Sequence, residues 1–573
     1  MTTAASRGAA ATADYLDQRT GVGVAVKGLA RKIFPDHWSF LLGEIALYSF
    51  IVLLISGVFL TMFFVPSMAE TTYHGPWAAL NGVPMSQAFA STLRLSFEVR
   101  GGLLMRQVHH WAALLFMAAI ITHMMRVFFT GAFRKPRELN WLVGFTMMLL
   151  GLVAGLTGYS LPDDVLSGNG MRITDGVASS IPIIGSYLSY FIFGGEFPGS
   201  ELIPRLFTLH VLLIPGLILA LIGAHLFLVF LHKHTQYPGS GRTDKNVVGY
   251  PMFPIYVAKA GGFFFIVFGV IALLAATMTV NPVWNYGPFD PAVVSAGAQP
   301  DWYMLFLEGS LRLMPGWEIV IAGFSIPLNV LIPAMVVPGV LFTALALYPF
   351  IEALATGDER EHHVLNRPRN VPTRTATGVS ILTAFIILIV AGSNDLLATR
   401  FHLSINDITW TLRVLLFLGP WFAFWITKRM CLGLQRKDRE LVLHGHETGR
   451  VVRFAHGEYI EVHRPLDDHE RWLRVNYDAH VPLAIAPEHD SRGVRRKGYR
   501  RDVLRQRLSR AFYEDRVEPV TPAQLAAAHA HGEHDALASA EPTTAPSLER
   551  APAGGGGDLT TREGHPSNDA RNQ

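Results

Sequence analysis

Residues 104–129 read Leu-Met-Arg-Gln-Val-His-His-Trp-Ala-Ala-Leu-Leu-Phe-Met-Ala-Ala-Ile-Ile-Thr-His-Met-Met-Arg-Val-Phe-Phe. The run is long and apolar enough to cross about 30 Å of hydrocarbon as a helix. It nevertheless holds His109, His110 and His123, and an ionisable side chain inside a span is costly and marks a functional site by default. Fourteen positions separate His109 from His123. At about 100° per residue that is about 40° short of four turns, so both project from nearly one face, roughly 21 Å apart along the axis. His110 points about 100° away and reads as a neighbour only.

A second apolar run, 205–232, carries His210 and His225 with Pro215 between them. Their fifteen-position interval overshoots four turns by about 60° at the regular helical pitch, an excess that a proline kink can alter. Entering from the same side, the two helices match His109 by depth with His210, and His123 with His225. A lone membrane histidine is commonly an interhelical hydrogen-bonding group. Two matched pairs instead suit two bis-imidazole haem sites stacked across the bilayer. Zinc is disfavoured, because each level offers two imidazoles and no nearby Cys or carboxylate.

Glycines repeat the interval on the neighbouring apolar runs: Gly43 and Gly57 on one, Gly144 and Gly158 on the other. Small residues also serve plain helix packing, but the shared period favours close approach of flat macrocycles. Arg106 and Arg126 flank the histidines, each three positions away, within reach of haem propionates.

Six further runs, about 41–65, 139–160, 255–281, 319–350, 376–394 and 408–427, bring the expected spans to eight, an all-α polytopic membrane fold. Pro327, Pro333 and Pro338 predict a kink in the sixth span. Basic residues collect at the N-terminus (Arg31, Lys32), in the second-to-third turn (Arg134, Lys135, Arg137) and in the loops after the fourth and sixth spans. The positive-inside rule then puts both termini in the cytoplasm. The long connections 66–103, 161–204 and 282–318 fall on the outer side.

The 573 residues are 50% hydrophobic and 16% charged, against about 25% charged for soluble domains. A net charge of +3 is too small to argue for nucleic acid. The single cysteine, Cys431, excludes a disulfide framework, a Cys-ligated iron–sulfur cluster and a CxxCH haem attachment within the chain. Met1–Thr20 lacks the apolar core of a signal peptide. The expected organisation is a polar segment 1–30, a di-haem four-helix bundle 31–235, four further spans 236–430, and a cytoplasmic polar tail 431–573. That tail has a basic run, Arg495–Lys497 with Arg500 and Arg501, read as a solvated or lipid-facing surface. It ends in a low-complexity stretch expected to be disordered, including Ala526–Ala528, Ala551 and Gly554–Gly557.

Over residues 30–430 the chain resembles cytochrome b of respiratory cytochrome bc complexes. The matching stretches are Arg106-Gln107-Val108-His109, His123-Met124-Met125-Arg126, Gly158-Tyr159-Ser160-Leu161-Pro162, Ile181-Pro182-Ile183-Ile184-Gly185 and Pro300-Asp301-Trp302-Tyr303. The resemblance implies a low-potential haem on His109 and His210, and a high-potential haem on His123 and His225. It also implies quinol oxidation at the outer face by Asp301, Tyr303 and Tyr159, a Rieske iron–sulfur partner, a c-type cytochrome partner and a Q cycle. A homodimeric complex in a bacterial cell membrane, associated with a terminal oxidase, follows from the same likeness. Eight spans in one chain look like the respiratory form, whereas the fifteen-position interval and the Phe133–Leu139 turn look like photosynthetic relatives. The charged tail looks actinobacterial, implying menaquinol.

There are departures from the family pattern. Asp301 stands for the usual glutamate, and Asp163 for the tryptophan after Leu-Pro. At the inner quinone site the family places His, Lys and Asp. Here Trp38 and Lys259 are assigned, His232 falls two positions late, and Ala260 replaces the acid. For Asp301 the residues alone also allow a helix N-cap, since Pro-Asp before an apolar run is a helix-start pattern. Two rival functions are a di-haem anchor of a dehydrogenase and a proton-coupled transporter. A b-type haem spectrum rejects the transporter, and electron delivery from quinol to a c-type cytochrome rejects the anchor.

Overall fold

The computed structural model describes residues 4–293, 299–475, 481–513 and 517–528. The histidine-bearing run forms helix α2 (Gly102–Thr130), between α1 (Trp38–Thr61), α3 (Glu138–Tyr159) and α4 (Leu202–His232). The chain continues through α5 (Met252–Thr277), α6 (Leu328–Thr356), α7 (Pro372–Gly392) and α8 (Ile405–His444). These are eight helices of spanning length and apolarity among the described residues. Glycines in the left-handed conformation, Gly101 and Gly131, delimit α2 at both ends. Between the two histidine levels, Phe50, Phe116, Met117, Ile120, Phe145 and Ile218 close the core of the first four helices.

Helix α4 departs from regular α geometry where the histidine interval required it. Residues Leu209–Leu213 form a π turn, closed by the Ile214 N–H on the Leu209 carbonyl. The turn precedes Pro215, which has no N–H to give the ladder. A π turn absorbs one extra residue, so fifteen positions on α4 advance as fourteen do on α2. This wider turn removes the angular overshoot.

The sixth span begins later than the sequence suggests. Ile319–Ile321 and Phe324–Ile326 form an antiparallel hairpin. Its two-residue turn, Ala322-Gly323, has both φ values positive, the geometry that matches strand twist. The β-branched run there had read as helix; α6 starts only after Pro327, with a π turn at Ile332–Val336.

The long connections hold short elements of their own among the described residues. Residues 66–103 hold the hairpin Glu70–Thr72 with Pro84–Ser86 and the helix Gln87–Phe97. Residues 161–204 hold helices Val165–Ser179 and Gly185–Phe193. Asp164 starts the first of these with a capping box to Ser167. Asp164 also bridges to Pro288, and Trp77, Phe97 and Trp284 stack together, so the three connections interlock.

At the opposite end the basic residues are built in. Arg137 donates to the carbonyls of His362 (2.6 Å) and His232 (2.9 Å). Arg374, fully buried, pairs with Glu352 at 2.9 Å.

The described chain divides into two compact units, 1–442 with 466–520, and 443–465 with 521–528. In the first, the N-terminal segment is helical over Ala4–Thr20 and Val22–Ala30. The polar tail is more structured than its composition suggests. Helix α8 runs through Met430 to His444, and Tyr499–Tyr513 is a helix whose Phe512 carbonyl accepts from Thr373. Arg495, Arg496 and Lys497, before this helix, and Arg500 and Arg501, in its first turn, are all exposed. The second unit holds the hairpin His446–Arg453 with Tyr459–Arg464. Residues 522–528 are helical, so Ala526–Ala528 are ordered; Ala551 and Gly554–Gly557 lie outside the described residues.

Candidate functional site

The four histidines meet in two pairs. The His109 and His210 rings are 6.2 Å apart at 70°, and the His123 and His225 rings 6.4 Å apart at 72°. Two metal–imidazole bonds of about 2 Å, plus roughly 1 Å from each ring centre to its nitrogen, come to about 6 Å. Each pair therefore has the separation needed to hold one metal ion axially from both sides.

Hydrogen bonding selects the ligating nitrogen at the first pair. The His210 Nδ1 lies 3.0 Å from the Ala154 carbonyl, which only accepts, so Nδ1 carries the proton and Nε2 keeps its lone pair. The His109 Nδ1 lies 2.9 Å from Ser56 Oγ, whose own hydrogen is given to the Val52 carbonyl at 2.7 Å. Nδ1 is again the donor, leaving the Nε2 lone pair free to ligate a metal ion. At the second pair both Nδ1 atoms are buried without a partner.

The glycines admit these rings. A Cβ on Gly43 would stand 3.1 Å from the His123 ring, and one on Gly57 would stand 3.3 Å from His109. At Gly158 it would overlap His210, while at Gly144 it would make an ordinary 3.7 Å contact with His225. Three of the four glycines thus leave room for the imidazole beside them. Arg106 donates to the Asn281 carbonyl (2.6 Å) and Arg126 lies over Phe40 (4.3 Å). Arg106 Nη1 and Arg126 Nε and Nη2 are nevertheless buried without partners. Orphaned guanidinium nitrogens beside each pair are what propionates would satisfy.

Asp301 does not cap a helix. The following helix starts at Leu305 with Met304 before it. The Asp301 carboxylate accepts from Tyr303 Oη at 3.0 Å, and its other oxygen lies 3.2 Å from His110 Nε2. His110, set aside on sequence grounds, is thus part of the site; its offset around the helix aims it at Asp301 while His109 faces His210. Tyr303 is buried against Gly155, and burial beside Asp301 raises its phenol well above the usual range. Tyr159 Oη reaches the Gln299 carbonyl at 3.5 Å, on the wall of the same loop. Asp163 and Asp164 are buried nearby in the chain, and burial pushes each up to about 6.

The inner residues are only partly brought together. Lys259 pairs with Asp36 at 3.0 Å, two positions from Trp38, which is 71% exposed. His232 belongs with Arg137, and no contact joins it to Lys259 among the described residues. Sequence reading missed Glu44, which accepts from Tyr48 (3.2 Å) and Tyr256. Tyr48 Oη also lies 3.0 Å from the Ala260 carbonyl, so its one hydrogen is shared between the two acceptors. A carboxylate thus stands beside the position where the acid is lacking. It lies next to Gly43 in the chain, a signal available in the sequence as the acid inside the first span.

Comparison with known proteins establishes the family. Residues 114–288 match the family described as cytochrome b (N-terminal)/b6/petB. The chain is 55% identical over 524 residues to the cytochrome bc1 complex cytochrome b subunit of Streptomyces coelicolor, covering 91% of this chain and 96% of that one. It is 50% identical over 475 residues to the subunit of the same name from Mycobacterium bovis, covering 82% and 86%. The Corynebacterium diphtheriae subunit is 49% identical over 475 residues, with the same coverage. A solved chain of a hyperthermophilic respiratory Complex III shares the fold at a TM-score of 0.55 and 23% identity, covering 73% of this chain and 98% of that one. The chain belongs to the family of cytochrome b subunits of the cytochrome bc1 complex.

Proposed function

We propose that this chain binds two b-type haems, one between His109 and His210 and one between His123 and His225, and oxidises menaquinol at Asp301. Family membership makes it a catalytic subunit of a membrane quinol–cytochrome c oxidoreductase that binds b-type haem and works with iron–sulfur and cytochrome c subunits. When bound, haem supplies one-electron transfer between the two faces. The observation that carries the two-site reading is the near-identical geometry of the two ring pairs, 6.2 and 6.4 Å.

At the outer site Asp301 takes a proton from the quinol hydroxyl, and Tyr303 and His110 hold its carboxylate in place. Tyr159 and the 299–303 loop form the wall. One electron leaves to the Rieske partner and the other goes to a quinone at the opposite face, a Q cycle. Lys259, Trp38 and His232, joined by Glu44, are the proposed inner-site residues. The actinobacterial look of the tail supports menaquinol, and the basic loops support two cytoplasmic termini. A homodimeric complex associated with a terminal oxidase completes the reading.

Dithionite-reduced minus oxidised spectra with a redox titration of the purified complex test it. Two b-type components, reducible by menaquinol and coupled to c-type cytochrome reduction, are expected; a single component would overturn the two-site assignment.

A further inference from the structure

Helix Leu305–Leu313, which follows the Asp301 loop, lies on α7 with the two backbones in contact. A Cβ on Gly309 would overlap the Leu388 carbonyl, and one on Gly392 would stand 2.5 Å from the Leu305 carbonyl. Only hydrogen fits at either crossing. Phe306, Leu313, Ile387, Leu388 and Ala391 are buried along the same seam, so the two helices form one rigid support. α7 ends at Gly392, and Asp395 follows in the first turn of helix Asn394–Phe401. Asp395 thus rides on the support.

Its carboxylate gathers donors from three segments. Arg312 Nη1 lies 2.7 Å from Oδ1 and the Leu396 N–H donates to the same oxygen at 2.8 Å. Gln299 Nε2 donates to Oδ1 at 2.8 Å and to Oδ2 at 2.9 Å. Arg312 is itself held by Glu308 and by Asn394 Oδ1 at 2.6 Å. The Arg312 and Asp395 side chains are 22% and 20% exposed, so these charge-assisted bonds lie largely out of water, unlike weak surface pairs.

Gln299 carries this anchorage to the quinol site. It stands 96 positions from Asp395 in the chain and two before Asp301. Its backbone carbonyl accepts from Tyr159, so the side chain ties to the support and the main chain to the wall. Successive Cα atoms are about 3.8 Å apart, so two residues pass a shift at Gln299 on to Asp301 with little slack. We propose that Asp395 is a positioning residue for quinol oxidation: it fixes Gln299, and through it the 299–303 loop, so that Asp301 meets the quinol hydroxyl. This rests on Asp301 as the proton acceptor. His110 and Tyr303 orient the carboxylate, while Asp395 holds the backbone that carries it.

The test is steady-state menaquinol oxidation by the whole complex at matched haem content. Asp395→Ala should lower kcat about tenfold, the size of one lost hydrogen bond to a charged group, and leave KM within about twofold. Gln299→Ala removes the same bond from the other side and should show the same loss, whether or not the Asp395 variant assembles. The double variant should be no slower than either single one. Asp395→Asn can still accept from Gln299 and should keep most of the rate; a role confined to the Arg312 ion pair would make it as slow as the alanine variant, and overturns the proposal. In an Asp301→Asn background the Asp395→Ala change should add little, because the acceptor it positions is gone. Additive losses in either pair overturn the proposal. Near-normal turnover of Asp395→Ala beside a slow Asp301→Asn overturns it alone. Near-normal turnover of Asp301→Asn overturns the proton-acceptor reading, and the role of Asp395 with it.

Discussion

The His110 imidazole stands 3.2 Å from one oxygen of Asp301, and Tyr303 donates to the other at 3.0 Å. The next residue back on the same helix, His109, faces His210 across the bundle. One turn of α2 thus serves both the proposed proton acceptor and the proposed electron path. If Asp301 takes the quinol proton, Asp301→Asn should keep its haems and slow menaquinol oxidation on the order of 10²-fold or more. Asp301→Glu should retain much more, since it keeps the acid. Near-normal turnover of the Asn variant at matched haem content would shift the proton to Tyr303 or to the Asp163 and Asp164 pair.

Removing His110 should be milder. His110→Ala leaves His109 and its Ser56 partner in place, so both haems should remain. The Asp301 carboxylate loses one partner, and quinol oxidation should slow by about tenfold, the size of one hydrogen bond to a charged group. A rate unchanged from wild type would remove His110 from the site.

His109→Ala or His210→Ala should cost the outer haem, and His123→Ala or His225→Ala the inner one, because a macrocycle with one axial ligand is poorly held. Pyridine haemochrome counting with redox titration resolves the two. Retention of two low-spin haems in any of these variants contradicts the assignment.

The glycines should differ among themselves. Gly158→Ala forces a methyl into His210 and should cost the most haem, Gly43→Ala and Gly57→Ala less, and Gly144→Ala least. Leucine at Gly57 or Gly158 should prevent haem insertion while the chain still reaches the membrane. Equal haem content across the alanine series would assign these glycines to plain helix packing.

Burial raises Asp163 and Asp164 from 3.8 to about 6, so the native chain holds more protons than the unfolded chain between those values. The stability of this loop should therefore fall as pH rises through that window and level off above it. Hydrogen exchange across 161–180, corrected for intrinsic rates, should show stronger protection at pH 5 than at pH 7. Asp163→Asn should weaken the dependence. Stronger protection at pH 7 than at pH 5 would exclude it.

The Arg374–Glu352 pair is buried on both sides. Arg374→Met strands a carboxylate and should destabilise the basic end by about 3–5 kcal/mol. Replacing both partners with apolar residues should recover most of it. Thermal unfolding of the single and double variants checks the sign.

Apolar length and the histidine and glycine intervals are local properties of the chain, so the eight spans, the two histidine levels and their flanking arginines were legible in the sequence. Burial of a charge within an apolar run costs too much to be accidental, and periodicity converts spacing into a shared face. The π turn at Leu209–Leu213 was not legible, because the missing N–H of Pro215 can be accommodated by a kink or by a wider turn, and the sequence does not choose between them. The Ile319–Ile326 hairpin was hidden for a related reason: an apolar β-branched run reads alike as strand or helix until its turn is seen. His110 on Asp301 joins residues 191 positions apart in the chain, and Glu44 beside Ala260 is set by the packing of α1 on α5. Which nitrogen each outer imidazole turns to its partner was likewise decided by Ser56 and the Ala154 carbonyl. Contacts between distant segments arise only when the helices pack, and the tertiary structure alone decided them.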